Sequence, residues 1–388
     1  MLVLWMLVVM SGAWWALQAV MSGISMRAVP RLAALPAEAL ASWPTVSVVV
    51  PARDEGLHLE AALEAKRSEG YPALEVVVVD DRSQDDTGAI ADALAARDSR
   101  VRAVHVTEVP EGWLGKVNAL ARGLDAASGE WVLFSDADVH LAPGTLARLV
   151  AWAERSGVDH VALVPSLRSR GPMVAPALAT FFRLFSLLPL WKVPDPRSSA
   201  AIGAGAFNLF RRRALDASPG LEWLKMEIAD DMALGVMLKR AGARQAVVVG
   251  GDGAWLDFYP SFRAMARALE KNGAAAPMPL MLLGVAALVV LEAGYLAALA
   301  IATPWAWAVG ATVAALACVT QWGASRWLSL PRWPALVPWL GVVPLTLAMA
   351  RSAVLAALRG GVVWRSTFYS TATVRAGQRL GMGRELAR

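Results

Sequence analysis

Three long stretches of this 388-residue chain carry almost no charge, and they limit what it can fold into. Residues 1–26 contain no Asp, Glu, Lys or Arg. Between Gly273 and Ser325 the single charge is Glu292, and residues 333–350 again carry none. A membrane crossing needs about 20 apolar residues. The pattern therefore predicts one N-terminal span and two or three C-terminal ones, with a membrane as partner. The last is ambiguous because Pro338 and Pro344 interrupt it, so residues 334–357 read as a span or as a re-entrant hairpin. The 56% hydrophobic content and mean hydropathy of +0.46 come from these stretches. Many of the 17 Trp lie near their ends, where amphipathic rings are favoured.

No positive region precedes the first apolar run, as a cleaved leader needs. Arg27 and Arg31 follow it instead. This predicts an uncleaved anchor in the cell (inner) membrane, a multi-pass chain, and a cytoplasmic globular domain. Seven Arg against one Glu after Ala350 account for much of the net charge of +5. Such a tail suits anionic lipid headgroups, and nothing here implies a nucleic-acid partner. The tail also sets a conflict. Three spans after a cytoplasmic domain would carry it outside, against the positive-inside rule. The single cysteine, Cys318, excludes an intrachain disulfide and any Cys-built metal site.

The expected organisation is an anchor at 1–26, a Pro/Ala linker at 27–44 and a globular domain at 45–275. That domain would carry interfacial helices near 176–191 and 261–272. A transmembrane region at 276–357 and a basic tail at 358–388 follow. Within the domain, strand-like and helix-like segments alternate, which argues an α/β fold with a largely parallel sheet. Expected strands are Val46–Val50, Leu74–Val79, Val101–Val106 and Trp131–Phe134. Expected helices are Leu57–Arg67, one after Thr87 and Lys116–Ala127.

In such sheets ligands bind beyond the carboxyl ends of the strands, and three ends here are polar. The first reads Pro51-Ala52-Arg53-Asp54-Glu55. The second runs from Asp80-Asp81 through Asp86-Thr87, where Ser83 and Asp85 or Asp86 also suit a helix N-cap. The third is Ser135-Asp136-Ala137-Asp138. Alternate residues of an extended chain point the same way, so Asp136 and Asp138 can face one spot. Two hard oxygen ligands there suit Mg²⁺ or Mn²⁺, and through it a diphosphate. A solvated turn with an Asx cap is the competing reading of that pair alone.

As an ordered set, with Gly115-Lys116-Val117-Asn118 and Ala229-Asp230-Asp231 added, these motifs resemble a family 2 glycosyltransferase. The fold this implies is the GT-A, nucleotide-diphospho-sugar transferase, Rossmann-like α/β fold, here joined to transmembrane helices. The resemblance covers about residues 45–275. It implies that Pro51, Ala52, Arg53 and Glu55 hold the nucleotide base and ribose, with Asp80 and Asp81 on the uracil side. It implies Lys116 near the donor phosphates, Asp136 and Asp138 on a Mg²⁺ or Mn²⁺ ion, and Asp231 as catalytic base with Asp230 beside it. Acids opening a helix also satisfy its dipole, so Asp230 and Asp231 have a structural reading too.

The resemblance reaches the non-processive membrane members, the ceramide and carotenoid glycosyltransferase-like groups. Processive members carry Q-x-x-R-W, whereas Gln321 to Trp327 is one residue too long. Arg263 or Arg267, one helical turn apart, is expected on the donor diphosphate, with an ordinary basic interfacial helix as the alternative. Gly203 to Asn208 resembles the acceptor-side loop. The implied activity is inverting transfer of one sugar from a nucleotide-diphosphate donor, a UDP-sugar, to a lipid hydroxyl. A processive synthase, a nucleotidyltransferase on the same fold and an inactive scaffold are the rivals. Glu292, inside a span, reads as a functional acid or a helix-packing partner.

Overall fold

A computed structural model describes residues 1–169, 171–365 and 367–380. The chain forms two compact units. The α/β unit comprises Val29–Ser166, Leu190–Leu256 and the chain from Ala376. Its strands are β1 (Val46–Ala52), β2 (Leu74–Asp81), β3 (Val101–Val106), β4 (Trp131–Phe134), β5 (His140–Leu141), β6 (His160–Arg168), β7 (Asn208–Arg211) and β8 (Gln245–Asp257). Among the described residues they form one sheet in the order β3-β2-β1-β4-β7-β6-β8-β5. β1, β2, β3 and β4 are mutually parallel, and β7 runs antiparallel to β4 and β6. Val76 to Val79 are almost completely buried, as a Val run covered on both faces must be. Helices Gly56–Arg67, Thr87–Arg97 and Gly115–Ala126 fall within a residue of expectation, because strand and helix periods differ clearly there.

Register aligns the strand ends that matter. Ala52 pairs with Asp80, Val49 pairs with Phe134, and the Ser135 N–H donates to the Val49 carbonyl at 3.1 Å. β7 lies against β4 with Asn208 opposite Phe134. The 203–207 loop is thereby brought beside the Asp136–Asp138 turn.

The helical unit comprises Met1–Ala28, Leu167–Pro189 and Asp257–Arg375. Among the described residues four helical stretches have the length and composition to cross a membrane: Leu2–Ala28, Met278–Ile301, Pro304–Trp327 and Pro338–Arg359. The first buries Ser11, Trp15, Gln18, Ser22 and Ser25 along one face and exposes Met6, Val9, Met10, Leu17 and Val20 on the other. Its polar residues point inward and its aliphatic ones outward, which suits a lipid surround.

The unit boundaries differ from the expected 45–275. In the 176–191 stretch Phe181 and Leu188 are exposed while Arg183 turns inward. Its helix Val174–Phe185 folds into the helical unit, because Arg183 finds all its partners there. The Arg183 guanidinium meets Glu292 at 2.6 Å, donates to Gln321 Oε1 at 2.7 Å, also donates to Gln18 Oε1, and stacks over Trp15 at 4.4 Å. Glu292 Oε1 accepts from Trp14 Nε1 at 2.8 Å and Gln18 Nε2 at 3.1 Å. Glu292 is thus the packing partner of the two options. Gln321 belongs to this knot, not to a nucleotide-sugar motif.

The 261–272 stretch is amphipathic as expected, but its helix ends at Ala268 and continues as a 3₁₀ turn. Arg263 and Arg267 are exposed, while Lys271 lies over the Trp364 ring at 4.7 Å. The basic tail is divided as well. Gly361–Trp364 and Thr367–Ser370 pair as an antiparallel hairpin in the helical unit, and the chain from Ala376 belongs to the α/β unit.

Candidate active site

Two loops at the carboxyl ends of β1 and β2 are bolted together. The Asp54 N–H donates to Ser83 Oγ at 3.0 Å, Gln84 N–H to Asp54 Oδ1 at 2.8 Å, and Glu55 N–H to Thr87 Oγ1 at 2.8 Å. Asp86 is the N-cap position but makes no side-chain capping bond, while the Asp85 carboxylate accepts the Thr87 N–H at 3.0 Å and the Gly56 N–H at 2.9 Å. Ser83 serves the neighbouring loop, not its own helix. Asp54 and Arg82 both have positive φ, 53° and 58°, a costly conformation for side-chain-bearing residues that the cross-links hold in place. Asp81 is buried, with Arg82 Nε at 2.8 Å and Arg53 Nη1 at 4.0 Å. Asp80 accepts the Ser83 N–H at 3.1 Å and meets His105 at 3.2 Å.

The third polar edge holds the carboxylates. Asp136 follows β4, Lys116 opens the Gly115–Ala126 helix, and Asp230 and Asp231 open the Asp230–Arg240 helix. Pro51, Lys116, Ser135, Asp136, Gly205, Asn208, Asp230 and Asp231 line one cavity, floored by Phe134 and Leu224. Lys116 Nζ bridges Asp136 at 2.9 Å and Asp230 at 3.5 Å. Burial opposes its charge, but Asp136, Asp230 and Asp231 outweigh burial and hold the ammonium above its ordinary pKa.

Asp231 Oδ2 accepts the Gly205 N–H at 2.7 Å, and Oδ1 accepts the Met232 N–H at 2.8 Å. A Cβ at Gly203 would lie 1.7 Å from the Asp231 carbonyl oxygen, so only glycine lets this loop pass. At Gly205 a Cβ would meet Asp231 Oδ2 at 3.2 Å and Asp136 Oδ2 at 3.4 Å. The two carboxylates therefore face one point from two different elements. Such a point can take a cation or a polyhydroxylated ligand.

The structure gathers Pro51, Lys116, Asp136, Asp230 and Asp231. Arg53, Glu55, Asp80 and Asp81 sit at the adjoining strand ends. Asp138, half-buried, is in the same turn as Asp136. Arg263 and Arg267 belong to the helical unit and are not in this lining.

Sequence reasoning missed three contributors. Asn208 Oδ1 accepts from the Ala204 N–H at 3.1 Å and pairs with His160 Nε2 at 3.0 Å. Burial pulls His160 down to about 4, against the Asn208 hydrogen bond, so it is neutral and donates from Nε2. Glu227, buried within the 225–229 loop that leads to Asp230, accepts backbone N–H groups of Arg379 and Leu380. Lys66 is the third. None carries a local motif, so only the Asn208 position inside the expected acceptor loop gave a signal.

Residues 47–217 match the sequence model described as Glycosyl transferase family 2. A GalNAc(5)-diNAcBac-PP-undecaprenol beta-1,3-glucosyltransferase of Campylobacter jejuni is 36% identical over 118 residues, 30% of this chain and 37% of the relative. Glycosyltransferase GlyG of Streptococcus pneumoniae is 36% identical over 116 residues, again 30% and 37%. This chain thus spans well under half the length of these curated relatives. A mannosyltransferase of Pyrobaculum calidifontis, solved with GDP-Man and Mn²⁺, superposes with a TM-score of 0.57 at 22% identity, over 91% of this chain and 98% of that one. The mixed α/β sheet has the GT-A glycosyltransferase fold.

Proposed function

We propose that this chain, which carries a family 2 glycosyltransferase domain over residues 47–217, is an inverting membrane glycosyltransferase. It moves one sugar from a nucleotide-diphosphate donor, a UDP-sugar, to a hydroxyl of a membrane lipid. The observation that carries this reading is the convergence of Asp231 and Asp136 on Gly205, with Lys116 between Asp136 and Asp230. Asp231 takes the acceptor proton as the hydroxyl attacks the anomeric carbon, which gives one displacement and inversion. The Gly205 and Met232 N–H groups aim its carboxylate. Lys116, already charged, stabilises the leaving diphosphate.

Asp136 and Asp138 fit a divalent cation, because two hard carboxylate oxygens one residue apart suit Mg²⁺ or Mn²⁺. Among the described residues no three His, Cys, Asp or Glu side chains form a metal-holding group, so diphosphate and water would supply the other ligands. A bound ion would neutralise the charge of the departing nucleotide diphosphate. Pro51, Ala52, Arg53, Glu55, Asp80 and Asp81 take the nucleoside. The lipid acceptor is supported by the four apolar helices and by the undecaprenol-linked relative, and the ceramide/carotenoid-like grouping remains part of this proposal.

The tail is held within the α/β unit, where the Arg379 and Leu380 N–H groups donate to Glu227. A cytoplasmic catalytic unit with its tail on the same side is part of this proposal.

The test is donor turnover in detergent with Mn²⁺ or Mg²⁺, a panel of nucleotide-sugars and a membrane-lipid extract. Lipid-dependent release of nucleoside diphosphate, lost in Asp231→Asn with donor binding retained, is the expected result. Turnover that survives in Asp231→Asn removes the base, and pyrophosphate release removes the transferase reading.

A further inference from the structure

Behind the Asp136–Asp138 turn lies a lysine that the reaction does not use. Lys66 sits in the last turn of the Gly56–Arg67 helix. Its neighbour Arg67 goes outward to Glu64 and Asp98, as a basic helix end usually does. Lys66 goes inward and is completely buried. Its Nζ donates to the carbonyl oxygen of Val139, the residue after Asp138. The Val139 N–H in turn donates to the Asp136 carbonyl at 3.3 Å, so the ammonium is anchored to the turn that presents both acids. Burial pulls the ammonium down to about 8, with the Asp138 and then the Asp136 carboxylates opposing that fall.

A buried ammonium is costly unless it is paired, and an apolar side chain of similar length would fill the same space without that cost. The charge therefore needs a reason. Asp136, Asp138, Asp230 and Asp231 contribute four negative charges, and Lys116 answers Asp136 and Asp230 from the cavity side. Lys66 answers from behind. With both lysines the cluster keeps two negative charges, the amount one divalent cation cancels.

We infer that Lys66 is a built-in counter-cation of the donor site, balancing Asp136 and Asp138 in the metal-free chain and opposing the divalent cation they take up. It thereby weakens metal binding until a diphosphate adds its own oxygens. This inference rests on the metal reading of Asp136 and Asp138. Lys66 is a positioning residue and touches no reacting atom.

Its sign makes it testable, because damage and charge removal push metal affinity in opposite directions. Mn²⁺ binding to the full-length protein in detergent, without donor, is followed by the loss of the free-Mn²⁺ electron paramagnetic resonance signal. Lys66→Met should bind Mn²⁺ about ten-fold more tightly than wild type, and the gap should narrow when UDP is present. Lys66→Gln, which removes the charge but keeps an N–H donor, should shift the same way. Equal or weaker binding in the variants, with wild type binding Mn²⁺ normally, overturns the inference and leaves Lys66 a loop prop. Absence of Mn²⁺ binding in wild type both without and with UDP overturns the metal reading itself, and the inference with it. A variant that folds only when Mn²⁺ is supplied is judged by its Mn²⁺ dissociation constant once folded, tighter than wild type supporting the inference and equal or weaker overturning it. Failure of both variants to fold with or without Mn²⁺ assigns Lys66 to the core and overturns it too.

Discussion

The chain gathers charge in two places and treats them in opposite ways. In the helical unit, Arg183 and Glu292 are fully buried, equal in number, and ringed by Gln18, Gln321, Trp14 and Trp15. In the α/β unit, four carboxylates face two ammonium groups, and the Asp136 side chain remains 31% exposed. The first cluster is closed: partners on three apolar helices meet each polar atom that enters it, and nothing is left for a ligand. The second carries surplus negative charge at a strand edge open to water. A finished ionic cluster holds helices together, whereas an unfinished one invites a cation and its anionic cargo.

The sharpest test of the open cluster is its base. Asp231→Asn should lower turnover about 10³- to 10⁴-fold, with donor affinity and thermal midpoint nearly unchanged. Steady-state kinetics beside donor titration checks this. A matched loss of fold would make the two clusters alike and end the comparison.

The closed cluster should respond in stability instead. Arg183→Met alone leaves Glu292 buried without its counter-ion and should cost about 3–5 kcal/mol. The double variant Arg183→Met/Glu292→Leu should recover most of it. Unfolding in detergent, followed by tryptophan fluorescence, measures both. A double variant as unstable as the single one would show that the pair specifies the packing and does not merely tolerate burial.

A third test connects fold and site through pH. Neutral His160 holds Asn208, and its pKa near 4 lies below that of an unfolded histidine, 6.5. The contribution is full above pH 6.5. As pH falls towards 4 the unfolded chain takes up a proton that the folded one refuses, and stability drops by about 3 kcal/mol. His160→Gln should flatten that slope, and an unaltered slope would exclude His160 as its source.

The smallest expected effect is at Glu227. Glu227→Gln should weaken its hold on Arg379 and Leu380 and cost about 1–2 kcal/mol. With Cys318→Ala as background, Gln378→Cys should react with a membrane-impermeant maleimide only when the cytoplasmic face is open. Labelling from outside would place the tail away from the cytoplasm and overturn that part of the proposal.

Much of the fold and of the site is legible in the amino-acid sequence. The β1 to β4 strands and their helices stand out because buried Val runs and 3.6-residue patterns differ clearly. Pro51, Lys116, Asp136, Asp230 and Asp231 stand out because each ends a strand or opens a helix. Local pattern is silent on partnership. Nothing near Lys66 distinguishes it from Arg67, yet one faces the Asp136–Asp138 turn and the other the solvent. The Pro176–Trp191 stretch reads as interfacial because Arg183 is its one charge, and its partners lie 109 to 165 residues away.

By itself the sequence determined the two kinds of region, the strand ends that bear chemistry and the acids there. These follow from hydrophobic period and from short-range spacing, which a chain carries in one dimension. The tertiary structure decided which charges are closed and which stay open. It sent Arg183 to Glu292, Lys66 behind Asp138, and the tail back to Glu227. Each of those choices depends on which distant residue shares a low-dielectric space with which, and only the packed chain sets that.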